Sequence, residues 1–218
     1  MNKRILRWGL LLLVLVWGVS YVFIQNSIQT KTVGIQPFEN FPQESIDSVR
    51  QSISSLYKFQ VVVLPQQNLP KDCFINVKSP RYRADKLLKY LKSNRPDSID
   101  LMLGLTTKDI STTKKDKDGN VKKPKSKYED WGIFGLGYRP GNAAMVSTFR
   151  LRKPGLTIER LQKVVTHEIG HNLGLKHCSQ NKNCIMDDAA ESIKTIDAAG
   201  RFLCDYCSRK VNVQHASE

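Results

Sequence analysis

From about Lys31 onward, hydrophobic positions follow helical and strand-like periods in turn, a pattern typical of an α/β domain. Two amphipathic helices are predicted by apolar residues at helical spacing, the first at Ile46, Val49, Ile53 and Leu56 and the second at Ala84, Leu87, Leu88 and Leu91. Apolar runs at 59–64 and 99–105 predict two strands, and the first of them is expected to be buried.

A strand pair is predicted at 131–138 and 143–150, because the intervening Arg139-Pro140-Gly141-Asn142 is a good turn sequence. A long helix should follow from Thr157, its candidate N-cap, through Leu173. The pattern therefore predicts one α/β (α+β) domain over residues 31–218, a length that suits a single hydrophobic core.

Residues 1–30 have a different character. Lys3, Arg4 and Arg7 precede an uncharged apolar run, 8–24, which is about the minimum length for crossing a hydrocarbon core of roughly 30 Å. The basic flank favours a cytoplasmic N-terminus and an extracytoplasmic domain. No small-residue cleavage site follows the run, which favours a membrane anchor over a cleaved signal peptide and secretion. A buried core helix is the third alternative, but no polar face interrupts the run.

The charge of the chain is unusual, although its charged fraction of 25% is ordinary for a globular protein. Part of the net charge of +14 comes from residues 111–127, the basic insert, which holds seven lysines and two aspartates. Asp118-Gly119-Asn120 at its centre predicts a hairpin excursion or a flexible loop. A solvated loop is the simpler interpretation, and contact with anionic substrate or lipid head groups is the functional one.

The predicted long helix carries a set of residues typical of a metal site. His167 and His171 are four residues apart, so they share one helical face and can bind one zinc ion. Gly174 is the expected helix terminator, which lets the chain turn and bring His177 back as a third ligand. Three histidines leave a fourth position open, as in catalytic rather than structural zinc sites.

Glu168 directly follows the first histidine, so it is expected beside the metal as the general base that deprotonates the attacking water. Glu191 is a rival third ligand, since other zinc peptidases use a glutamate about this far downstream. That arrangement does not require the turn at Gly174, and His177 is therefore preferred.

Four of the five cysteines follow the third histidine closely, at Cys178, Cys184, Cys204 and Cys207. The pair Cys204 and Cys207 has the spacing of half a zinc site, and Cys178 with Cys184 could complete a closed, structural one. Two disulfides are the alternative, which export from the cytoplasm would favour. The residues alone favour neither the zinc site nor the two disulfides clearly. The fifth cysteine, Cys73, is expected to be a buried free thiol.

Residues 167–207 resemble the archaemetzincins, a family of metzincin-type zinc proteases. The family pattern is His-Glu-x-x-His-x-x-Gly-x-x-His-Cys, a second cysteine, x-Met and, seventeen residues later, Cys-x-x-Cys. Cys184-Ile185-Met186 and the seventeen residues 187–203 match it. Similar segments at 106–110, 134–136 and 147–151 extend the resemblance upstream to about residue 99.

The resemblance implies a metzincin-like fold, with a twisted mixed sheet, an antiparallel edge strand and an active-site helix. It also implies a catalytic Zn²⁺ on the three histidines, a structural Zn²⁺ on the four cysteines of 178–207, and Met186 in a Met-turn beneath the active site. The expected activity is peptide hydrolysis by a monomer whose partners are a peptide or protein substrate and the membrane, with no nucleic acid. The alternative is a zinc-stabilised binding module with little or no turnover at a membrane surface.

Overall fold

The computed structural model describes residues 30–187 and 192–213. Its larger sheet has five strands in the order β2-β1-β5-β9-β8. These are β1 (Thr32–Pro37), β2 (Gln60–Val63), β5 (Leu101–Thr106), β8 (Gly135–Gly137) and β9 (Ala143–Ser147). The first four strands of this order are parallel, and β8 pairs antiparallel with β9 at one edge. The predicted antiparallel edge strand is therefore present.

Helices cover both faces of this sheet. The helices α1 (Gln43–Tyr57) and α4 (Thr157–Asn172) lie on one face, and α2 (Ala84–Ser93) lies on the other. The central strand β5 shows why, because Leu101, Leu103 and Leu105 pack with α1 and α4 while Met102 packs on the side of α2. Alternate residues of a strand face opposite sides, so a strand buried on both faces is apolar throughout.

A second mixed sheet, which the sequence pattern did not predict, has four strands in the order β3-β4-β6-β7. They are β3 (Phe74–Asn76), β4 (Pro80–Arg83), β6 (Ile110–Thr112) and β7 (Trp131–Ile133). A short 3-10 helix, Lys71–Cys73, precedes β3. Three short helices complete the described chain: α3 (Lys125–Tyr128), α5 (Ile193–Ala198) and α6 (Asp205–Lys210).

The basic insert forms the predicted hairpin excursion between β6 and α3. Lys115 and Val121 form an isolated antiparallel bridge, and the Asp116 carboxylate accepts from the backbone N–H groups of Asp118 and Asn120. Gly119 has φ of +83°, a left-handed conformation that glycine adopts without a steric penalty. The centre of the insert, 115–121, is therefore a turn stabilised by its own hydrogen bonds.

A buried ion cluster joins the second sheet to the chain that follows β9. Asp109, 4% exposed, accepts two hydrogen bonds from the Arg150 guanidinium, at 2.7 and 2.9 Å, and lies 3.3 Å from Nε of Arg81. Burying a carboxylate costs less when arginines pair with it in this two-bond geometry. The cluster fixes the position of β6 and β7, which border the site described below.

Both predicted amphipathic helices and the predicted strand at 99–105 are present, but three details of the prediction were wrong. The strand at 59–64 is an exposed edge strand, because β2 pairs only with β1 and leaves Val62 45% exposed. The segment 131–138 divides between the two sheets, and only β8 pairs with β9. Thr157 is the first residue of α4 rather than its N-cap, and its hydroxyl group donates to the Lys153 carbonyl.

Within 30–187 and 192–213, no helix combines the length and the apolar character that crossing a membrane requires. The run 8–24, on which the membrane prediction rests, lies outside the described residues.

Candidate active site

The helix α4 carries the first two histidines on the face that lines the cleft described below. His167 and His171 are 8% and 9% exposed, and their ring centroids are 4.6 Å apart. The helix period places residues four apart on one face, which accounts for the pair. Leu161, Val165 and Ile169 lie on the opposite side of the helix, where they pack in the core and hold the helix in place.

Gly174 ends α4 as the sequence predicts. Its φ is +94°, and its N–H donates to the His171 carbonyl while the Leu175 N–H donates to the Gly170 carbonyl. These two bonds are those of a Schellman motif, in which a left-handed glycine reverses the chain. The exposed His177 consequently returns to the helix, and its ring centroid lies 5.3 Å from that of His167 and 5.0 Å from that of His171.

The nitrogen atoms of the three histidines are arranged to bind one ion. One ring nitrogen from each lies within 4.8 Å of the other two. The Nδ1 atoms of His167 and His171 lie 2.8 Å from the carbonyl oxygens of Ile185 and Leu175. A carbonyl oxygen only accepts, so each Nδ1 carries the proton and each Nε2 is the nitrogen whose lone pair can bind a metal ion. Bonds of this kind orient histidine ligands in metal sites.

Met186 packs against α4 at Gly170. It is fully buried, and a Cβ placed on Gly170 would lie 2.3 Å from its sulfur, so a side chain at position 170 would displace that of Met186. The preceding Ile185 supplies the carbonyl oxygen that accepts from His167, and the Met186 carbonyl accepts from the Cys178 N–H. The turn 184–186 thus positions both His167, in the histidine cluster, and Cys178, in the cysteine cluster described below.

Glu168 lies between α4 and the edge strand β8. The Gly137 N–H donates to its carboxylate, and hypothetical Cβ atoms on Gly135 and Gly137 would approach its side chain to 2.9 and 3.2 Å. Burial raises the pKa of Glu168 to about 8, and the hydrogen bond from Gly137 opposes the rise. A dication on the neighbouring histidines would favour the charged carboxylate by direct attraction.

Gly137→Ala is predicted to lower kcat/KM by about 10²-fold with little loss of zinc, because an added Cβ would lie 2.9 Å from the Glu168 carbonyl oxygen. The contact is with backbone, so β8 has to move away from α4. The measurement is peptide hydrolysis together with zinc content. Ser98→Ala, at an exposed position outside the cleft, is the control and should keep wild-type activity. Wild-type kcat/KM in Gly137→Ala would contradict the role given to this contact.

A cleft of about 430 Å³ runs along β8 and opens on the three histidines. Its apolar lining comes from β7, β8, α4, α5 and the turn 184–186, and it includes Ile133, Leu136, Val164, Ile185 and Ile196. Lys163 also lines it, with its Nζ bonded to the carbonyl oxygens of Ile196 and Asp197 and to Glu159. Thr112 and Lys114 of the basic insert border the cleft, so the insert is part of this site.

The four clustered cysteines meet in a second group. The sulfur atoms of Cys178, Cys184, Cys204 and Cys207 all lie within 4.8 Å of one another, and those of Cys178 and Cys204 are 3.7 Å apart. Tetrahedral zinc with Zn–S bonds of about 2.3 Å requires sulfur atoms about 3.8 Å apart. All four cysteines are free thiols in the structure, as is Cys73, which is buried as expected.

Sequence analysis did not identify several residues that shape the cleft. Gly135 and Gly137 leave room for the Glu168 side chain against β8. Lys163 connects α4 to α5 through a hydrogen bond, and the side-chain amide of Asn172 donates to the turn after β8. The spacing Gly135-x-Gly137 was a usable signal, because two glycines on one face of an edge strand allow close approach of another segment. Glu191, the rival third ligand, lies outside the described residues.

The fold and this site define a zinc-dependent metallopeptidase, and comparisons with known proteins give its family. The model of peptidase family M54 matches residues 25–213. The archaemetzincin of Haloquadratum walsbyi is 26% identical over 81% of this chain and 97% of its own, and that of Saccharolobus solfataricus is 31% identical over 76% and 85%. The chain therefore belongs to peptidase family M54, the archaemetzincins.

Solved structures agree with this assignment. The crystal structure of the archaemetzincin from Methanopyrus kandleri has a TM-score of 0.68 and 26% identity, over 86% of this chain and 97% of that one. The archaemetzincin of Archaeoglobus fulgidus has a TM-score of 0.65 and 28% identity, over 82% and 99%. The mixed α/β fold with two mixed sheets thus matches that of archaemetzincins, as the resemblance implied.

Proposed function

We propose that this zinc metallopeptidase hydrolyses peptide bonds at a zinc ion held by His167, His171 and His177, with Glu168 as the general base. The observation that carries the proposal is the convergence of three imidazole nitrogens within 4.8 Å, two of them on rings whose other nitrogen is bonded to a carbonyl oxygen. The donor set fits zinc, which prefers neutral imidazole and binds three protein ligands in catalytic sites.

When bound, zinc supplies Lewis-acid chemistry, which lowers the pKa of water and polarises a carbonyl oxygen. The residues of the chain carry out the proton transfer and hold the base in position. The Glu168 carboxylate accepts the proton of the attacking water and delivers it to the departing amine. The Gly137 N–H holds that carboxylate against β8, at the wall of the cleft.

The strand β8 supports an extended substrate. It is the edge strand of the five-stranded sheet, and it lines the cleft from Gly135 to Gly137. Apart from the Gly137 N–H, which donates to Glu168, the backbone groups of its free edge can pair with a peptide that adds as a further strand. A substrate in this position passes directly over the histidines, which places its scissile bond beside Glu168.

We propose a second, structural zinc on Cys178, Cys184, Cys204 and Cys207. Four sulfur atoms within 4.8 Å of one another suit a tetrahedral ion, whereas two disulfides would divide them into separate bonded pairs. Burial raises the pKa of Cys184 to about 11 and also raises that of Cys207, and a dication would offset this cost by binding the thiolates.

The test of the peptidase proposal uses the full-length chain and a mixed peptide library. Zinc-loaded protein should cleave members of the library, a chelator should abolish cleavage, and added zinc should restore it. Metal analysis under non-reducing conditions should give two zinc ions per chain. Cleavage that persists in metal-free protein would overturn the proposal.

We propose further that residues 1–30 tether the domain to a membrane, with the domain on the extracytoplasmic side. The support is the apolar run 8–24 behind three basic residues, and the family match begins directly after it, at residue 25. Protease added to sealed right-side-out vesicles should digest the domain, and N-terminal sequencing should find Met1 retained. Protection of the domain would contradict the orientation, and a cleaved terminus would favour secretion.

A further inference from the structure

The turn between β8 and β9 is bound to α4 by Asn172. The side-chain amide of Asn172 donates to the carbonyl oxygens of Tyr138 and Ala143, both at 2.9 Å, and its main-chain carbonyl accepts from the Gly141 N–H at 3.1 Å. Asn172 is 5% exposed and follows the zinc-site residue His171. The turn is therefore held in a fixed position relative to the histidines.

Arg139 lies in this turn, and its exposed side chain lines the cleft. The backbone is held on both sides of Arg139, because the Tyr138 N–H donates to the Ala143 carbonyl and the Gly141 N–H donates to the Asn172 carbonyl. Over the described ranges 30–187 and 192–213, the Arg139 side chain forms no hydrogen bond or ion pair. A fixed backbone thus presents a guanidinium group to the cleft.

The charged residues that line the cleft favour binding of an anion beside Arg139. Among the described lining residues, the charged ones are Lys114, Arg139, Lys163 and Glu168. Glu168 is held by the backbone of β8, and Lys163 is bonded to α5 and Glu159. The Nζ of Lys114 lies over the Trp131 ring, 4.6 Å from its centroid. A carboxylate brought by a substrate would therefore find Arg139, whose planar group matches it with two parallel hydrogen bonds.

We propose that Arg139 is a specificity-determining residue that binds an acidic side chain of the peptide substrate. This inference rests on the proposed function, in which the substrate lies along β8. The acidic residue lies on the side of the scissile bond that faces the β8–β9 turn. Asn172 contributes by holding the turn, so that less side-chain and loop ordering is needed when the carboxylate binds.

The test uses the full-length, zinc-loaded chain and peptides in which a single Glu or Gln occupies successive positions. At one position Glu should raise kcat/KM about fivefold over Gln, the range of exposed ion pairs, and salt should reduce the preference. Arg139→Gln should abolish the preference, and Arg139→Glu should reverse it in favour of Lys. Arg50→Gln, on α1 and outside the cleft, should keep it. An unchanged preference in Arg139→Gln would overturn the inference.

A binding measurement separates this inference from the proposed function. Fluorescent Glu and Gln peptides are titrated into the inactive Glu168→Gln variant, with and without Arg139→Gln, and anisotropy is recorded. If the wild-type chain cleaves no peptide, the proposed function fails, and tighter binding of the Glu peptide that depends on Arg139 still supports the inference. Equal affinity for the two peptides, or binding of neither, overturns it.

Discussion

Glu168→Gln is expected to lower kcat for peptide hydrolysis by about 10²- to 10⁴-fold, the usual contribution of a general base. The amide keeps the size of the carboxylate and can still accept from the Gly137 N–H, but it cannot take a proton from water. Zinc content and the free energy of unfolding should stay close to wild type. The measurements are steady-state kinetics and metal analysis of the full-length chain.

Glu44→Gln is the matched control for this variant. Glu44 is exposed in the first turn of α1 and does not line the cleft, so the same chemical change should leave kcat unaltered. If metal-replete Glu168→Gln or Glu168→Ala kept full activity, another group would have to be the base. A loss of zinc together with activity would instead indicate that Glu168 supports the histidines.

Cys184→Ser is expected to remove one zinc ion per chain and to lower the free energy of unfolding by several kcal/mol, a large part of the stability of a domain. Cys184 is fully buried, and its sulfur accepts from the Cys204 N–H at 3.3 Å. The effect should extend to catalysis, because the adjacent Ile185 supplies the carbonyl oxygen bonded to His167. Urea unfolding, metal analysis and peptide hydrolysis measure the three consequences.

Cys73→Ser is the control, since Cys73 is equally buried but lies outside the cysteine cluster. It should keep the wild-type zinc content and lose on the order of 1 kcal/mol, a typical cost of a point mutation. Thiol titration of the wild-type chain adds a second check. One zinc ion per chain and a single reactive thiol after denaturation, that of Cys73, would establish disulfides in place of the second zinc.

Local sequence rules were enough to predict much of the candidate site. The interval of four between His167 and His171 has the period of a helix, and Gly174 is the left-handed terminator that reverses the chain toward His177. Both features depend on backbone geometry within a few residues. For the same reason, the helices α1 and α2 and the strand β5 were predicted with nearly the right limits.

Features that depend on distant contacts were not predicted. The second sheet consists of strands of three or four residues, too short to show a clear period, and its strands pair across large sequence separations. The exposure of β2 followed from its place at the sheet edge, which an apolar sequence does not reveal. The division of 131–138 between two sheets likewise depends on the pairing of β7 with β6.

The sequence by itself determined which residues could carry the chemistry, because histidine, glutamate and cysteine at fixed spacing act through local geometry. Only the tertiary structure decided how they are supported. It placed Glu168 against two glycines of β8, the Ile185 carbonyl behind His167, and Arg139 on a turn bound by Asn172. These contacts join segments far apart in the chain, and their positions follow from the packing of α4 against the sheet rather than from any local preference.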